Sequence, residues 1–574
     1  MNTFPDSNAM KFGGSQPDSV ADTHCLGLAP AAALGWAIVG ILPFWSLYLA
    51  HLLLGPNLPT GFIVADMPYY CANGREIFER GNGLFYCNPY DTNPDAPVIY
   101  LHWLPWIFGF CISVLGLDPG LVFVVVGAAA GLGCSLLTYR IVEHLLPTPR
   151  FRTSCFLFTM WGGGVCVLAA AAGNLISGTT IGHDLLRFDP FQGWWFLSWG
   201  RNLTMPQEAV YHCCAAAAWL AVLNNRPWPA VLAVSLLAAT HPWSGIQQLA
   251  ILGGWLTLTS WRSAAARLPL AATAAVSAVF LWYYFVYLPS FPAHKQIHGT
   301  WSLDWTLPWP SLLAAYLPIA LLALGQLGRQ RWQLTPANRF LLLAAAVSLL
   351  LVKHELFLPA RQPLHFTRGY VWLPLCLISL PLIQALGGWL LKLQQPLQAA
   401  AAAGLIGLAV ADNAAFIGLF WNQPFNQHTD VRIDPAVAEV FAILEQRNET
   451  GIALLVQPNP NDWEDYNYLL ATYTKLSPFL GHPWLTPDFK ARQKAATDFL
   501  DRGIATGPAT TIDTLVLPRN RQFRLPGGRA AWQQIYAGRQ LSILKRASVR
   551  PATTTPLTDR EKSRLLPLPT QSDR

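Results

Sequence analysis

Charged residues are scarce in this chain of 574 residues. Asp, Glu, Lys and Arg make up 12% of it, against roughly 25% in soluble domains, while hydrophobic residues make up 53%. Apolar runs long enough to cross a hydrocarbon core of roughly 30 Å recur, and they are continuous rather than alternating, which excludes a β-barrel. The sequence therefore predicts an α-helical polytopic membrane protein. The clearest runs are residues 31–54, 121–137, 268–288, 340–352 with their flanks, and 398–421.

A cleavable signal peptide is also missing. The first 28 residues are polar and no small-residue cleavage site follows a short apolar core, so the first apolar run is predicted to be an uncleaved anchor. The net charge of +7 is spread over short loops and the tail, which gives no reason to expect a nucleic-acid partner. The C-terminal region contains no phosphate loop or nucleotide-binding fingerprint.

Short basic connections between the apolar runs indicate the topology. They occur at residues 140–152, 224–226, 262–267, 329–339 and 391–395. The positive-inside rule places these in the cytoplasm with the N-terminus, and it places the first loop and the C-terminal region outside the cell membrane. About 11 spans are expected, with 12 or 13 also open, because residues 99–117 fit either a span or an interfacial or re-entrant helix.

Four regions follow from these patterns. Residues 1–28 form a polar cytoplasmic N-terminus, and residues 29–422 form a transmembrane domain whose first extracytoplasmic loop is 55–98. Residues 423–548 form a soluble α/β domain, followed by a disordered tail at 549–574. Within the α/β domain we expect strands at 452–456, 514–517 and 540–545, and helices at 435–446, 463–473 and 488–502.

The first loop concentrates acidic residues in an otherwise apolar region: Asp66, Glu76, Glu79, Asp91 and Asp95. Pro68 and Gly81 bracket a helix, with Glu76 and Glu79 expected on its solvated face. Asp66 either caps this helix or is a carboxylate at the membrane interface, suited to general base catalysis. Asp91 and Asp95 lie in a turn-rich stretch that explains them by loop chemistry.

Two cysteines share this loop, Cys71 and Cys87. They are either unpaired thiols or a disulfide, if the loop faces an oxidising compartment.

A second predicted outside segment carries further candidates. Glu208 and His212 share one helix face, and with Asp184 or Asp66 they could bind a divalent metal such as Mg²⁺ or Mn²⁺, although the spacing is not that of a dedicated site. Arg201 and Glu208 either contact a phosphate and sugar hydroxyls or form an interfacial ion pair. The neighbouring Trp194 and Trp195 are expected to be interface anchors.

Positive charge gathers between the later apolar runs, on the side where the positive-inside rule disfavours it. Lys353, Arg361, His365 and Arg368 lie there, and the phosphate of a lipid-linked sugar would explain them. Lipid headgroups are the alternative. His294, Lys295 and His298 of the preceding outside loop could extend the same patch, whereas His241 either faces a cavity or is a satisfied core histidine.

The motif Asp66-Met67-Pro68-Tyr69-Tyr70, followed by the glycine- and aromatic-rich residues 81–90 and by 100–105 with His102, resembles the first extracytoplasmic loop of GT-C glycosyltransferases. These are integral membrane enzymes that use polyprenyl-phosphate-linked sugars. The doubled acidic pair of several branches is absent, because Ala65 and Met67 flank Asp66.

The resemblance implies a GT-C-like fold and an inverting sugar transfer. The donor would be a polyprenyl-phosphate or diphosphate sugar, the acceptor a hydroxyl of a glycan, lipid or protein, and the site would lie on the outer face of the cell inner or plasma membrane. Asp66 would be the catalytic base or a metal partner. The expected substrate-binding residues are Tyr69, Tyr70, His102, Arg201, Glu208, His241, Lys353, Arg361, His365 and Arg368. A transporter or flippase of a lipid-linked saccharide and a non-catalytic membrane scaffold are the alternatives.

Overall fold

A computed structural model describes residues 30–55, 57–260, 264–298, 304–422, 431–456 and 466–547. The predicted N-terminal region 1–28 and the predicted tail 549–574 lie outside these residues. The described residues fall into two compact units. The first unit takes its residues from Met1–Ala50, Val125–Trp282 and Leu303–Pro424, and the second from His51–Val124, Tyr283–Ser302 and Phe425–Arg574.

Most of the described chain is helical. The helices are α1 Pro30–Leu53, α2 Pro68–Glu79, α3 Trp103–Gly109, α4 Pro119–Leu145, α5 Arg152–Trp161, α6 Cys166–Ile176, α7 Pro206–Leu223, α8 Pro227–Ala238, α9 Pro242–Ser260, α10 Arg267–Trp282, α11 Pro292–His298, α12 Trp309–Arg329, α13 Pro336–Val352, α14 Trp372–Leu390, α15 Gln395–Asn422, α16 Pro435–Gln446, α17 Leu470–Tyr473 and α18 Phe489–Arg502. Two π-helical turns, Phe110–Val114 and Tyr283–Tyr287, continue α3 and α10.

Six helices of the described chain, with α10 counted through to Ser290, are long and apolar enough to cross a membrane by length and composition, or seven if the bent pair α5 and α6 forms one span. The chain is therefore an integral multi-pass membrane protein. The number is smaller than the expected count, because several apolar runs fold as helices too short for that criterion. These shorter helices are Trp103–Val114, Pro227–Ala238 and Pro336–Val352. The first of them lies within the segment 99–117 whose assignment was open.

The first unit is a helical assembly with a core rich in aromatic side chains. Trp199, Trp219 and Trp372 are fully buried in it. Helices α7 and α8 pack closely, as do α12 and α14. Two of these three indoles are paired: that of Trp199 donates to Thr138 Oγ1 at 3.1 Å and that of Trp219 donates to Gln248 Oε1 at 2.8 Å. Buried indole N–H groups usually find such partners, since leaving them unpaired is costly.

The second unit combines the first loop with the α/β region near the C-terminus. Its strands are β1 Leu58–Pro59, β2 Phe85–Tyr86, β3 Tyr100–Leu101, β4 Arg432–Ile433, β5 Gly451–Leu455, β6 Leu476–Pro478, β7 Thr514–Pro518, β8 Trp532–Ala537 and β9 Leu541–Arg546. The main sheet has the order β6-β5-β7-β9-β8, with β5 parallel to β6 and β7, and β9 antiparallel to β7 and β8. Strand β1 of the first loop pairs antiparallel with β4.

The secondary structure predicted for the α/β region is confirmed in its main elements. Helix α16 begins and ends where expected, and β5, β7, β9 and α18 lie within a residue of their predicted bounds. Strands β6 and β8 were not predicted. The helix expected at 463–473 is described only from residue 466 onward, and there it is the short α17.

Helix α2 is less exposed than its sequence suggested. Glu76 is buried and forms an ion pair with Arg80, so its predicted place on a solvated face is wrong. Glu79 pairs with Arg75, whose guanidinium also donates to both carboxylate oxygens of Glu445 at 2.9 Å. The polar face of the helix is turned toward protein partners, including α16. Burial, only partly offset by Arg80, raises the pKa of Glu76.

Two glycines set the close approach of α2 and α3. A Cβ added at Gly74 would lie 2.6 Å from the Gly109 nitrogen, and one added at Gly109 would clash with the Gly74 carbonyl. The thiols of this loop do not pair: Cys71 Sγ lies 3.5 Å from the Pro119 carbonyl oxygen, and Cys87 Sγ donates to Glu76 Oε1 at 3.0 Å. The Cys71–Cys87 disulfide considered from sequence is absent, and burial raises the pKa of Cys87.

Candidate active site

The carboxylate of Asp66 lies at the surface of the second unit beside a histidine. Its side chain is 68% exposed, and its Oδ1 lies 3.0 Å from Nε2 of His482. The residues just before it, Phe62 and Ile63, are fully buried, so the chain emerges from the core at Asp66. His482 follows strand β6 in the α/β region and is itself only 12% exposed. An accessible carboxylate is thus held by a side chain that is largely enclosed.

The surroundings of His482 indicate which nitrogen carries its proton. The backbone N–H of Trp484 donates to Nδ1 at 3.3 Å, so a neutral ring carries its hydrogen on Nε2, the nitrogen that lies 3.0 Å from Asp66 Oδ1. The carbonyl of His482 also accepts from Thr486 Oγ1 at 2.9 Å. These bonds fix the direction from which the histidine approaches Asp66, and they leave the second carboxylate oxygen, Oδ2, open to other partners.

Asp66 does not cap helix α2. The N-cap position is Met67, no side-chain cap bond is formed there, and Pro68 occupies the first helical position. A proline at that position lacks one of the N–H groups that the start of a helix leaves without a partner. Of the two interpretations drawn from sequence, the capping role is therefore excluded.

Two tyrosines and a histidine of the same motif also lie in the second unit. The ring of Tyr69 packs against that of Tyr90 at 5.4 Å, and burial raises its pKa, so its hydroxyl stays protonated. Tyr70 packs against Phe123 at 6.3 Å. His102 takes an extended backbone conformation immediately before α3 and is half-buried. None of these contacts indicates a substrate-binding role for the three side chains, which stays a prediction.

A buried ion pair dominates the polar chemistry of the first unit. Glu208 at the start of α7 pairs with Arg368, and the two side chains are 1% and 14% exposed. His212, one turn further along α7, has both ring nitrogens 2.7 Å from backbone carbonyls, those of Glu208 and Arg368. The Arg368 guanidinium also lies over the ring of Trp195, 5.2 Å from its centre. Arg368 is thus neutralised and oriented by groups of its own unit.

The predicted metal candidates do not assemble. No group of three or more His, Cys, Asp or Glu side chains within the described residues is placed to hold a metal ion. The ring nitrogens of His212 face backbone carbonyls, and Asp184 is exposed in a left-handed backbone conformation. The residues named from sequence therefore do not fit a divalent metal.

Arg201 is enclosed by protein groups and is not accessible to a substrate. It is almost fully buried, forms an ion pair with Asp189, donates to Asn413 Oδ1 at 2.8 Å and lies over the ring of Phe416. The ion pair between Arg201 and Glu208, considered from sequence as one of two alternatives, does not form, because Arg201 pairs with Asp189 and Glu208 with Arg368. With its guanidinium enclosed by these groups, Arg201 is removed from the substrate-binding set.

The basic segment between α13 and α14 is largely neutralised. Lys353 pairs with Glu355, donates to the Leu307 carbonyl at 3.0 Å and lies over the Trp309 ring. Arg361 is exposed, and its guanidinium forms no ion pair within the described residues; only its backbone N–H is used, donating to His354 Nε2 at 3.0 Å. Arg361 is the cation of this segment that is left to meet an anion.

The remaining candidate histidines lie in two places. In the first unit, His241 stacks on Tyr211 at 4.5 Å and its Nδ1 lies 3.0 Å from Ser244 Oγ, as a satisfied core histidine would. His365 lies nearby, its ring 5.9 Å from that of His241. In the second unit, His294 contacts the Tyr100 hydroxyl at 3.2 Å. The side chain of His298 lies outside the described residues.

Sequence reasoning did not find His482. It stands in a Gly-His-Pro-Trp stretch with no acidic or metal-binding pattern, and only the tertiary fold brings it to Asp66. The sequence also predicted Trp195 to be an interface anchor, whereas in the structure the Arg368 guanidinium lies over its ring. The signal in the sequence for a role of Trp195 was its position in a tryptophan pair next to the polar segment that holds Arg201 and Glu208.

No protein-family model and no curated protein matches the chain. Among solved structures it is similar to the archaeal oligosaccharyltransferase AglB from Archaeoglobus fulgidus, solved in complex with an inhibitory peptide and a dolichol-phosphate. The two share 11% sequence identity, over 85% of this chain and 69% of that chain, with a TM-score of 0.41. A likeness of this degree carries no information about activity or about which residues act.

Proposed function

We propose that this protein is an integral membrane glycosyltransferase of the GT-C kind, which moves a sugar from a polyprenyl-phosphate or polyprenyl-diphosphate donor to an acceptor hydroxyl on the extracytoplasmic face. One observation carries the proposal: an exposed carboxylate, Asp66, is held by the largely buried His482 at 3.0 Å. The loop that presents Asp66 also carries the motif that resembles the GT-C enzymes.

The proposed reaction is a single displacement. Oδ2 of Asp66 takes the proton of the acceptor hydroxyl while the acceptor oxygen forms a bond to the anomeric carbon of the donor. The bond from that carbon to the phosphate oxygen breaks, the phosphate leaves with the electron pair, and the anomeric configuration inverts. In this proposal, the 3.0 Å contact of His482 Nε2 with Oδ1 restricts the rotation of the carboxylate, so that Oδ2 is presented in a fixed direction.

In the first unit, we assign the donor's phosphate to Arg361. A guanidinium offers forked hydrogen bonds to phosphate oxygens, and this one forms no ion pair with any described acid. Arg368 is not given this role, because Glu208 already cancels its charge. We assign no metal ligand, because within the described residues no three candidate side chains are grouped to hold a metal ion.

The test is a transfer assay with the purified full-length protein in lipid nanodiscs. Synthetic polyprenyl-phosphate and polyprenyl-diphosphate sugars are offered with soluble glycoside acceptors, and the anomeric configuration of the product is read by NMR. Transfer with inversion that is lost in Asp66→Asn supports the proposal. Movement of the intact lipid-linked sugar between leaflets without any transfer would instead favour a flippase.

A further inference from the structure

Four side chains of the first unit form what we term the aromatic cluster: Trp195, Trp243, Trp305 and His365. The His365 ring stacks on Trp243 at 5.4 Å, lies 6.0 Å from Trp305 and meets Trp195 edge-on at 5.0 Å. Trp195 and Trp305 are themselves 4.9 Å apart. Three separate chain segments, residues 190–205, 242–243 and 304–307, thus bring their indoles around one imidazole.

This cluster differs from the aromatic core of the same unit. Its three tryptophans are only half-buried, whereas the core tryptophans are fully enclosed. His365 is 8% exposed, yet neither of its ring nitrogens makes a hydrogen bond within the described residues. The buried Nε1 of Trp195 likewise donates to no described group. Buried polar atoms are normally paired, so these three atoms point to a ligand whose polar groups form hydrogen bonds with them.

A fourth buried atom without a hydrogen bond to a described residue, Oε2 of Glu208, belongs to the residue that pairs with Arg368. Arg368 stands over the Trp195 ring and pairs with Glu208 Oε1, while Glu208 Oε2 accepts no hydrogen bond within the described part of the chain. Burial lowers the pKa of His365 to about 3, so its ring is neutral at working pH, with one N–H donor and one acceptor nitrogen. The cluster therefore offers two donors and two acceptors at its polar edges.

This combination selects a class of ligand. A phosphate needs donors and net positive charge, but His365 is neutral and Glu208 cancels Arg368. A purely apolar ligand, such as a lipid tail, would leave all four polar atoms unpaired. Sugar hydroxyls both donate and accept, and the C–H face of a sugar ring packs on the flat faces of indoles.

We propose that the aromatic cluster, with Glu208, is a binding subsite for one neutral sugar ring. The hydroxyls of that sugar pair with His365, Trp195 Nε1 and Glu208 Oε2, and an indole face covers its apolar side. The assignment rests on the proposed glycosyl transfer for its role in the reaction, although sugar binding itself is measured without any transfer.

The test measures binding of methyl glycosides to the full-length protein in nanodiscs, by saturation-transfer NMR and tryptophan fluorescence. The panel contains α- and β-methyl hexosides and pentofuranosides. Two variants, Trp195→Phe and His365→Phe, remove the polar ring atoms and keep an aromatic ring at each position. Neither removes a hydrogen bond to a described residue, so both are expected to fold. Trp332→Phe, at an exposed tryptophan of the same unit, is the matched control.

We expect at least one glycoside to bind, and each of the two variants to weaken it by about tenfold. His365→Gln, which keeps a donor and an acceptor, should weaken it less than His365→Phe, and the Trp332 control should not weaken it. The proposal is overturned if no glycoside binds up to its solubility, if both cluster variants bind as the wild type does, or if inorganic phosphate displaces the sugar.

The same experiment separates this proposal from the proposed function. Asp66→Asn should bind the glycoside normally, because Asp66 is assigned the proton of the acceptor and no contact with the sugar of this subsite. A wild-type protein that binds glycosides through the cluster but transfers no sugar would refute the transferase and leave the subsite standing. If transfer needs Asp66 and both cluster variants transfer at the wild-type rate, while no glycoside binds, the transferase stands and the subsite is refuted.

Discussion

His482 Nε2 lies 3.0 Å from Asp66 Oδ1, although one residue belongs to the first loop and the other follows strand β6 near the C-terminus. The α/β region therefore supplies the partner of the carboxylate that the loop exposes. Other contacts tie the same two segments together: Asn88 Nδ2 donates to the Leu485 carbonyl at 2.7 Å and Thr472 Oγ1 donates to the Pro68 carbonyl at 3.1 Å. The α/β region thus fixes the shape of the loop as well.

The first prediction concerns His482 as a positioning residue. His482→Phe should lower kcat of the proposed transfer by about tenfold with little change in KM, because the polar partner that orients the carboxylate is lost while the acceptor and donor still bind. His482→Gln, which can still donate an N–H, should recover most of the rate. Steady-state kinetics on both variants measure this.

His183→Gln, at an exposed histidine of the first unit, is the control and should behave as the wild type. A His482→Phe protein with wild-type kcat would show that the carboxylate needs no partner.

The second prediction concerns the Glu208–Arg368 pair. Glu208→Gln should lower the free energy of unfolding by about 3 kcal/mol, since it leaves a largely buried guanidinium without its counter-charge. The double variant Glu208→Gln/Arg368→Met should recover much of that loss. Thermal and denaturant unfolding in detergent report both. Asp498→Asn, which breaks an exposed pair with Arg502, should change stability by less than about 0.5 kcal/mol. Equal effects of the two single variants would contradict the account.

The third prediction concerns Arg361. Arg361→Gln should raise KM for the polyprenyl-phosphate sugar by about tenfold or more and leave KM for the acceptor unchanged, because only the donor carries a phosphate. The donor KM of Arg361→Lys should lie between those of the wild type and Arg361→Gln, since lysine keeps the charge but loses the forked hydrogen bonds. Arg339→Gln removes an exposed arginine elsewhere and serves as control. An effect on the acceptor KM alone would assign Arg361 to the other substrate.

The fourth prediction concerns stability in acid. Burial holds the pKa of His365 at about 3, below the ordinary value of 6.5, so between these pH values the unfolded chain binds a proton that the folded chain does not. Stability from this residue is therefore present above pH 6.5 and falls as the pH drops toward 3. In His365→Phe the loss of stability per pH unit over this window should be smaller by up to about 1.4 kcal/mol. Unfolding midpoints at several pH values measure it, and parallel curves for the two proteins would refute it.

The helical membrane class and the α/β region were predictable because they depend on local patterns. Continuous apolar runs give the membrane helices, and the periodicity of residues 435–446 gives α16 with its observed bounds. The span count was harder. Apolar composition alone does not tell a full-length span from a helix such as Pro227–Ala238, which is too short to cross by itself.

The partners in the sites were not predictable, because they come from segments far apart in sequence. The polar face of α2 was read as solvated, yet Glu76 is covered and Arg75 reaches Glu445. An amphipathic pattern shows which face is polar and not what covers it. Likewise, the charges of Arg368 and Lys353 looked unpaired in sequence, while the fold supplies Glu208 and Glu355 to cancel them.

The central claim is that Asp66 removes the acceptor proton, and single-turnover transfer by Asp66→Asn tests it most directly. The comparison is with the wild type and with Asp95→Asn, which removes another exposed acid from the same loop. Because Asp66 is 68% exposed, the substitution should leave the unfolding midpoint unchanged. We expect the transfer rate to fall by about a hundredfold or more in Asp66→Asn and to stay at the wild-type value in Asp95→Asn. A folded Asp66→Asn protein that transfers sugar at the wild-type rate would contradict the account.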